Sequence, residues 1–166
     1  MHYISSCDSP LGRLRLLSNG EAITGILFEE QKEPGIFPYK EKELAVFAET
    51  RRWLDIYFGG SDPGFLPPLF LYTTLFRKEV YEPLMETPFG TSITYGALAK
   101  ECARRRKLPI VSARAVGNAL AHNPIPLLIP CHRVLGKDGS LTGYAGGLER
   151  KRYLLDLEHI SCRDMK

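Results

Sequence analysis

The sequence contains no apolar run close to the roughly 20 residues that a helix needs to cross a bilayer. It opens on MHYISSCD, which lacks the basic start and long apolar stretch of a secretory signal. Of its 166 residues, 44% are hydrophobic and 25% are charged, which is a globular composition. We therefore expect a cytoplasmic protein of one ordinary domain or two small ones, with no membrane partner.

Signatures of metal and nucleotide binding are also missing. The four cysteines, at positions 7, 102, 131 and 162, form no C-x-x-C pair and lack the spacing of metal ligands. No glycine-rich nucleotide fingerprint is evident. These absences favour reduced thiols and argue against a dedicated metal site.

Positive charge is modest in total but unevenly placed. The net charge is +3, yet two basic clusters, 104–107 and 150–152, both lie in the second half of the chain. Arg114, Arg133 and Lys137 stand between them. Either cluster alone is typical of a solvated helix face, but with the motifs below they favour a surface that faces phosphates.

The first 60 residues predict strands followed by a helix. Asn19-Gly20 separates two apolar segments, 13–17 and 22–28, and predicts a hairpin in which both central residues can adopt positive φ. The spacing of apolar residues over 42–58 predicts a helix. A stretch rich in proline and glycine then marks a domain boundary near Leu71.

The second half predicts helices. Three caps are available, at Thr73 or Thr74, at Thr94 and at Ser112, and a last helix covers about 148–160. The second and third helices are typical of a helix-turn-helix. The predicted fold class is α+β, with a small strand-rich N-terminal domain that includes a helix (1–71) and a mostly helical C-terminal domain containing the helix-turn-helix (72–166).

The third of these helices has almost no side chains. Its small residues are Ala113, Ala115, Gly117, Ala119 and Ala121. Helices that read the major groove present long polar side chains to base edges, and this one cannot. Two interpretations stay open: a close helix–helix contact, or a helix lying in a narrow minor groove with Arg114 as its one long inserted side chain.

The segment IPCHRV (129–134) points to chemistry. A thiol is a strong nucleophile only as the thiolate, and we expect the charges of His132 and Arg133 to favour that form of Cys131. The last helix places Glu158 on a partly apolar face, roughly in line with Lys151, where its carboxylate suits a partner for His132. The alternative is a small buried cysteine beside a surface histidine.

Five motifs in order resemble the O6-alkylguanine-DNA alkyltransferases, also called methylated-DNA–protein-cysteine methyltransferases. They are ITYG (93–96), ARAVG (113–117), NP (123–124), PCHRV (130–134) and GYAGGL (143–148). The resemblance is strongest over 76–158. It implies DNA repair by direct, stoichiometric transfer of an alkyl group from O6-alkylguanine in DNA to a cysteine, and it leaves open whether O4-alkylthymine is a second substrate.

By position, the resemblance makes Cys131 the alkyl acceptor. His132 would remove the thiol proton through a water, and Glu158 would orient His132. Asn123 would hold the turn that positions the cysteine. Because a thioether is a very poor leaving group, the protein would act once per molecule, and because the alkyl group comes from DNA it would need no cofactor.

The resemblance further implies a monomer bound in the minor groove of double-stranded DNA, without sequence specificity. Arg114 would fill the gap left by the flipped nucleotide, and Tyr95 would donate to the departing guanine. The DNA-binding residues are then Tyr95, Gly96, Arg114, Ala115 and Gly117, with Arg104 and Arg105 from the basic run. The pocket residues are Val134, Tyr144, Ala145 and Lys151, and the carbonyls of Cys131 and Val134 would accept from the guanine amino group.

The sequence departs from the family pattern in the pocket and between two helices, and two other functions compete with DNA repair. Ala145 stands where some members have Ser, so a backbone N–H must contact the lesion oxygen. Residues 101–111 form a longer segment than usual, which we expect to add phosphate contacts. The rivals are a Cys-His-Glu hydrolase or acyltransferase, which lacks its nucleophile-elbow pattern here, and a helix-turn-helix regulator without chemistry.

Overall fold

The computed structural model describes residues 1–163, and the chain divides into two compact units between Tyr72 and Thr73. The first unit is a sheet with one helix, and the second is mostly helical. The predicted α+β class is therefore confirmed. Among the described residues, no helix is both long enough and apolar enough to cross a membrane.

The N-terminal unit is a four-stranded sheet followed by helix α1. Its strands are β1 (His2–Cys7), β2 (Leu14–Ser18), β3 (Ile23–Leu27) and β4 (Tyr39–Glu41), and α1 spans Ala45–Phe58. The strand order is β3-β2-β1-β4, with β1 antiparallel to β2 and parallel to β4. The sequence does not predict β1, because HYISSC shows no alternation of apolar and polar residues. All six residues of the strand are half-buried, so neither face is clearly apolar.

The β2–β3 hairpin forms as predicted, but its turn is of another type. A four-residue loop, 19–22, separates the strands, and within it Gly20 has a φ of 106° whereas Asn19 does not have a positive φ. The Oδ1 atom of Asn19 accepts from the N–H groups of Glu21 (3.0 Å) and Ala22 (2.9 Å). The asparagine side chain thus satisfies the loop backbone, and this favours the longer turn.

The C-terminal unit contains helices α2 (Leu75–Met85), α3 (Tyr95–Arg106), α4 (Ala113–Ala121) and α5 (Leu148–Leu157). Side chains of Thr74, Thr94 and Ser112 cap the first three, each accepting from the N–H three residues later, as the sequence predicts. Helices α3 and α4 form the helix-turn-helix. Pro83 lies in the last turn of α2, which ends two residues later.

A short parallel strand pair, which the sequence did not predict, holds the site together. Strand β5 (Ile93–Thr94) pairs with β6 (Val134–Leu135). Helix α3 starts directly after β5, and a 3-10 turn over Cys131–Arg133 leads directly into β6. The pairing therefore ties the start of α3 to the turn that carries the cysteine. Two-residue strands give too short a pattern to be recognised from sequence.

Candidate active site

A cavity of about 250 Å³ lies in the C-terminal unit. It is lined by Tyr95, Gly117, Leu120, Ala121, Cys131, Gly143, Tyr144 and Ala145. Pockets for drug-sized ligands measure about 300–1,000 Å³, so this one suits a single planar ring system. Sequence reasoning missed Leu120 and Ala121, although they follow Gly117 by three and four positions and so share its helix face.

Cys131 lies in the wall of this cavity and is held by Asn123. The Nδ2 group of Asn123 donates to the Sγ atom of Cys131 (3.2 Å) and to the carbonyl oxygen of Ile129 (2.9 Å). Its Oδ1 atom accepts from the N–H of Ile125 (2.9 Å). One buried amide thus fixes both ends of the loop before the cysteine. Within that loop Leu127 has a φ of 75°, which is uncommon for a branched side chain.

Burial, rather than the neighbouring charges, controls the protonation of the thiol. Only 5% of Cys131 is exposed, and this burial raises the pKa of the thiol to about 11. The hydrogen bond from Asn123 and the charge of Lys151 offset only part of the increase. The expectation that His132 and Arg133 favour a resting thiolate is therefore wrong, and the thiol keeps its proton at neutral pH.

His132 and Glu158 form a buried pair. The Nε2 atom of His132 lies 2.5 Å from Oε2 of Glu158, and the two side chains are 0% exposed. Burial lowers the pKa of His132, and the carboxylate opposes that decrease without cancelling it. The imidazole is therefore neutral near pH 7 and can accept a proton, and the resulting imidazolium would lie against a carboxylate.

The other oxygen of Glu158 has two further partners that sequence reasoning missed. Its Oε1 atom accepts from Nε of Arg133 (2.8 Å) and from the N–H of Gly90 (2.9 Å). Arg133 also donates to the carbonyl of Thr87 (2.7 Å). A buried carboxylate is stable only when it is paired and hydrogen-bonded, and Arg133 balances its charge while His132 stays neutral. The position of Arg133 next to His132 in PCHRV was the one sequence signal that could have indicated this second partner of Glu158.

Lys151 and Val134 were predicted to line the pocket, but neither lies in its wall. Both are fully buried, and the residues lining the cavity include neither. The ammonium of Lys151 donates to the carbonyl of Val134 (2.7 Å) and, at 3.3 Å, to that of Gly143, which does line the cavity. Lys151 therefore supports the cavity wall from behind. Burial lowers its pKa to about 8.

Tyr95 is the first residue of α3, and its hydroxyl contacts the chain at Thr142 and Gly143. The Thr142 hydroxyl donates to the Tyr95 oxygen (3.1 Å), which lies 3.4 Å from the carbonyl oxygen of Gly143. Burial raises the pKa of Tyr95, so its hydroxyl keeps its proton at neutral pH. Tyr144, also in the wall, has its pKa raised by burial. The neighbouring Gly96 is exposed in the first turn of α3.

The predicted DNA-binding residues of the helix-turn-helix are accessible to different degrees. Arg114 is exposed at the start of α4, and Ala115 is half-buried. In the basic run, Arg104 is paired with Glu101, and Arg105 with both Glu101 and Glu86. These carboxylate partners were not anticipated from the sequence, and they reduce the net charge that the run presents.

Both units of the chain match domains of one known protein family. The DNA binding domain of 6-O-methylguanine DNA methyltransferase matches residues 75–160, and the ribonuclease-like domain of the same proteins matches residues 2–69. The chain belongs to the 6-O-methylguanine DNA methyltransferase family. The family that the five motifs predicted is therefore confirmed.

Individual relatives of this methyltransferase agree along the whole chain. The methylated-DNA–protein-cysteine methyltransferase of Haemophilus influenzae is 44% identical over 164 residues, which cover 98% of this chain and 89% of the relative. The O6-methylguanine methyltransferase structure of Mycobacterium tuberculosis has a TM-score of 0.81 at 38% identity, covering 95% and 93% of the two chains. The M. tuberculosis OGT structure in complex with DNA has a TM-score of 0.83 at 36% identity, covering 94% and 92%. The predicted enzyme class and its role in DNA repair are confirmed.

Proposed function

We propose that this methyltransferase repairs DNA by moving the alkyl group from O6 of a flipped-out guanine to Sγ of Cys131, once per molecule. The single observation that supports the assignment is the position of Cys131 in the wall of a base-sized cavity, next in the chain to a buried His132–Glu158 pair. Chemistry on a base requires its removal from the stack, and a cavity of this size accommodates one base.

The reaction is a displacement at the alkyl carbon. The thiol proton passes through a water to neutral His132, and the imidazolium that forms is stabilised by Glu158. The sulfur forms a bond to carbon as the carbon–O6 bond breaks, and guanine leaves as an anion. The raised pKa of Tyr95 keeps its hydroxyl protonated, so this hydroxyl can donate a hydrogen bond to the departing base. The product thioether is too poor a leaving group for a second cycle.

Intact mass spectrometry tests this assignment directly. The protein is mixed with an excess of duplex that contains one O6-methylguanine. We expect its mass to increase by one methylene group, because methyl replaces the thiol hydrogen, and peptide mapping to locate the change at Cys131. Repaired guanine should equal the protein in amount. Continued turnover, or an unmodified protein bound to intact lesion, would reject the proposal.

We further propose that α4 lies in the minor groove, bound by one monomer without sequence preference. Three of its residues, Gly117, Leu120 and Ala121, line the cavity, so this helix is at the entrance that a flipped base must pass. None of the three can hydrogen-bond a base edge through its side chain. Exposed Arg114, one turn earlier on the same face, is placed to fill the gap in the duplex.

Replacing Gly117 by alanine should affect the stability of the protein and its affinity for DNA in opposite directions. A Cβ atom at this position would lie 3.8 Å from the Tyr95 ring, which is ordinary van der Waals contact. We expect the variant to gain about 0.5–1 kcal/mol of stability, because alanine is the better helix former. DNA affinity should fall, because a methyl group now separates helix and groove. Thermal unfolding and lesion-duplex titration measure the two effects, and unchanged affinity would place α4 away from the DNA.

We also propose roles for the basic run and for the N-terminal unit. The side chain of Arg104 is 70% exposed, so it can exchange its partner Glu101 for a DNA phosphate. Two carboxylates, those of Glu86 and Glu101, hold Arg105, and its contact with a phosphate stays a prediction. The N-terminal unit, 1–72, would be structural. All four cysteines are free, and this favours a reducing compartment such as the cytoplasm.

A further inference from the structure

The loop between α3 and α4 exposes apolar side chains. It reads Lys-Leu-Pro-Ile-Val over residues 107–111, and Leu108 is 42% and Ile110 77% exposed. Pro109 between them is exposed as well. Single exposed apolar residues are ordinary, but three adjacent ones in one short loop form a patch. Phosphate contacts by the basic run give no reason for these apolar side chains to be exposed.

Both ends of the loop are fixed by hydrogen bonds. At the end of α3, Lys107 adopts the left-handed conformation (φ 55°, ψ 41°), and the N–H of Leu108 donates to the carbonyl of Ala103 (2.9 Å). At the start of α4, the Ser112 hydroxyl accepts from the N–H of Ala115 (3.0 Å). The patch is therefore held in place before any partner binds, which lowers the entropic cost of binding.

The patch is close in the chain to the residues of α4 that line the cavity. Gly117 and Ala121 line the cavity, and Arg114 precedes Gly117 by one turn. Ile110 precedes Arg114 by four residues, which span at most about 14 Å of extended chain. Base pairs are about 3.4 Å apart along a duplex, so Ile110 lies within roughly four base-pair steps of the gap that Arg114 would fill.

The surroundings of the patch suit a nucleic acid. Exposed Lys107 and Arg114 flank it, and exposed Arg104 lies one turn before Lys107. An apolar centre between cations matches the minor groove, where sugars and base edges lie between two rows of phosphates. Proteins that bind this groove insert isoleucine, leucine or proline between base steps and partly unstack them.

We propose that Ile110, with Leu108 beside it, is an apolar wedge that packs into the minor groove next to Arg114 and loosens the stacking of nearby base pairs. This inference rests on the proposed function, because it requires α4 to face the DNA. Weaker stacking lowers the cost of flipping the damaged nucleotide. The long 101–111 segment would then supply shape to the interface in addition to charge.

The test uses the variants Ile110→Ser and Leu108→Ser, alone and together, in the full chain. Binding to a lesion duplex is followed by fluorescence anisotropy, and stacking by the fluorescent base 2-aminopurine placed within four base pairs of the lesion. We expect the double variant to bind at least about fivefold more weakly, since it loses apolar contact with the groove. It should also lose the fluorescence increase that the wild type produces. The salt dependence of binding should stay unchanged, because no charge is removed.

Ile36→Ser is the matched control, because Ile36 is 65% exposed in the N-terminal unit. It should alter neither signal, and thermal unfolding should show that all the variants are folded. Unchanged affinity and unchanged fluorescence in the double variant would reject the wedge. So would reduced self-association with normal DNA affinity, since the patch would then bind protein. An unmodified Cys131 in the wild type rejects the proposed function instead, and this outcome is read from the mass spectrum independently.

Discussion

Replacing Cys131 by serine should reduce alkyl transfer by at least about a thousandfold while leaving affinity for the lesion duplex within about twofold of the wild type. The oxygen is far less acidic and less nucleophilic than sulfur, and the His132–Glu158 pair cannot compensate for this. The change is nearly isosteric, and the Asn123 amide that donates to Sγ can donate to a hydroxyl. Intact mass over time measures transfer, and anisotropy measures binding.

Cys7→Ser is the matched control for this substitution. Cys7 is a free, half-buried cysteine on β1 in the N-terminal unit, and its replacement should leave the rate of transfer unchanged. If the Cys131→Ser protein still gained an alkyl group on another cysteine, the acceptor would be misassigned. If it lost DNA affinity together with transfer, the cysteine would be needed for the fold of the site, and the loss of chemistry could not be read from the rate alone.

Replacing Glu158 by glutamine should have the second large effect. We expect transfer to slow by at least about a hundredfold, because the imidazolium formed at His132 loses its carboxylate partner. Stability should also fall, by about 3–5 kcal/mol, since the buried guanidinium of Arg133 is left without a counter-charge. Single-turnover rates and denaturant unfolding measure the two effects.

The dependence of the transfer rate on pH tests whether Glu158 acts through His132. In the wild type, burial lowers the pKa of His132, so the rate should fall only as the pH drops below the ordinary value of 6.5. The rate should rise in alkaline solution, as the pH approaches the thiol pKa of about 11. Glu158 raises the pKa of His132, so its loss should shift the acid limb of the profile to lower pH. An acid limb that does not move would contradict the coupling of the two residues.

Two further variants show whether Glu158 acts on the chemistry or only through the fold. Glu149→Gln removes an exposed carboxylate from α5, the helix that ends just before Glu158, and should leave rate and profile unchanged. Combining Glu158→Gln with Arg133→Met removes both members of the buried charge pair, and this should recover part of the lost stability without restoring transfer. Recovery of activity in the double variant would show that Glu158 acts only through the fold.

Local patterns were enough to predict the helices and the order of the motifs. Thr94 and Ser112 were predicted as caps, and the first cap was narrowed to Thr73 or Thr74, because a cap involves residues only three positions apart. The pairing of His132 with Glu158 followed from the resemblance and from helical spacing, although 26 positions separate the two residues.

Contacts between distant segments could not be predicted in the same way. The Gly90 N–H reaches Glu158 across 68 positions, and Arg105 reaches Glu86 across 19. Neither pair has a sequence pattern that distinguishes it from the many other available donors and acceptors. The pKa of Cys131 was predicted in the wrong direction for a related reason: the sequence shows the adjacent charges, whereas burial depends on how the whole unit packs.

The raised pKa of Cys131 has a consequence for a protein with a single use. Soluble alkylating agents and oxidants react with thiolates that solvent can reach. A thiol that is 5% exposed and protonated at neutral pH offers them almost no target. We expect it to become reactive only when a flipped base occupies the cavity and the thiol proton passes to His132. We infer that the thiol of each molecule is thereby preserved until a damaged base enters the cavity.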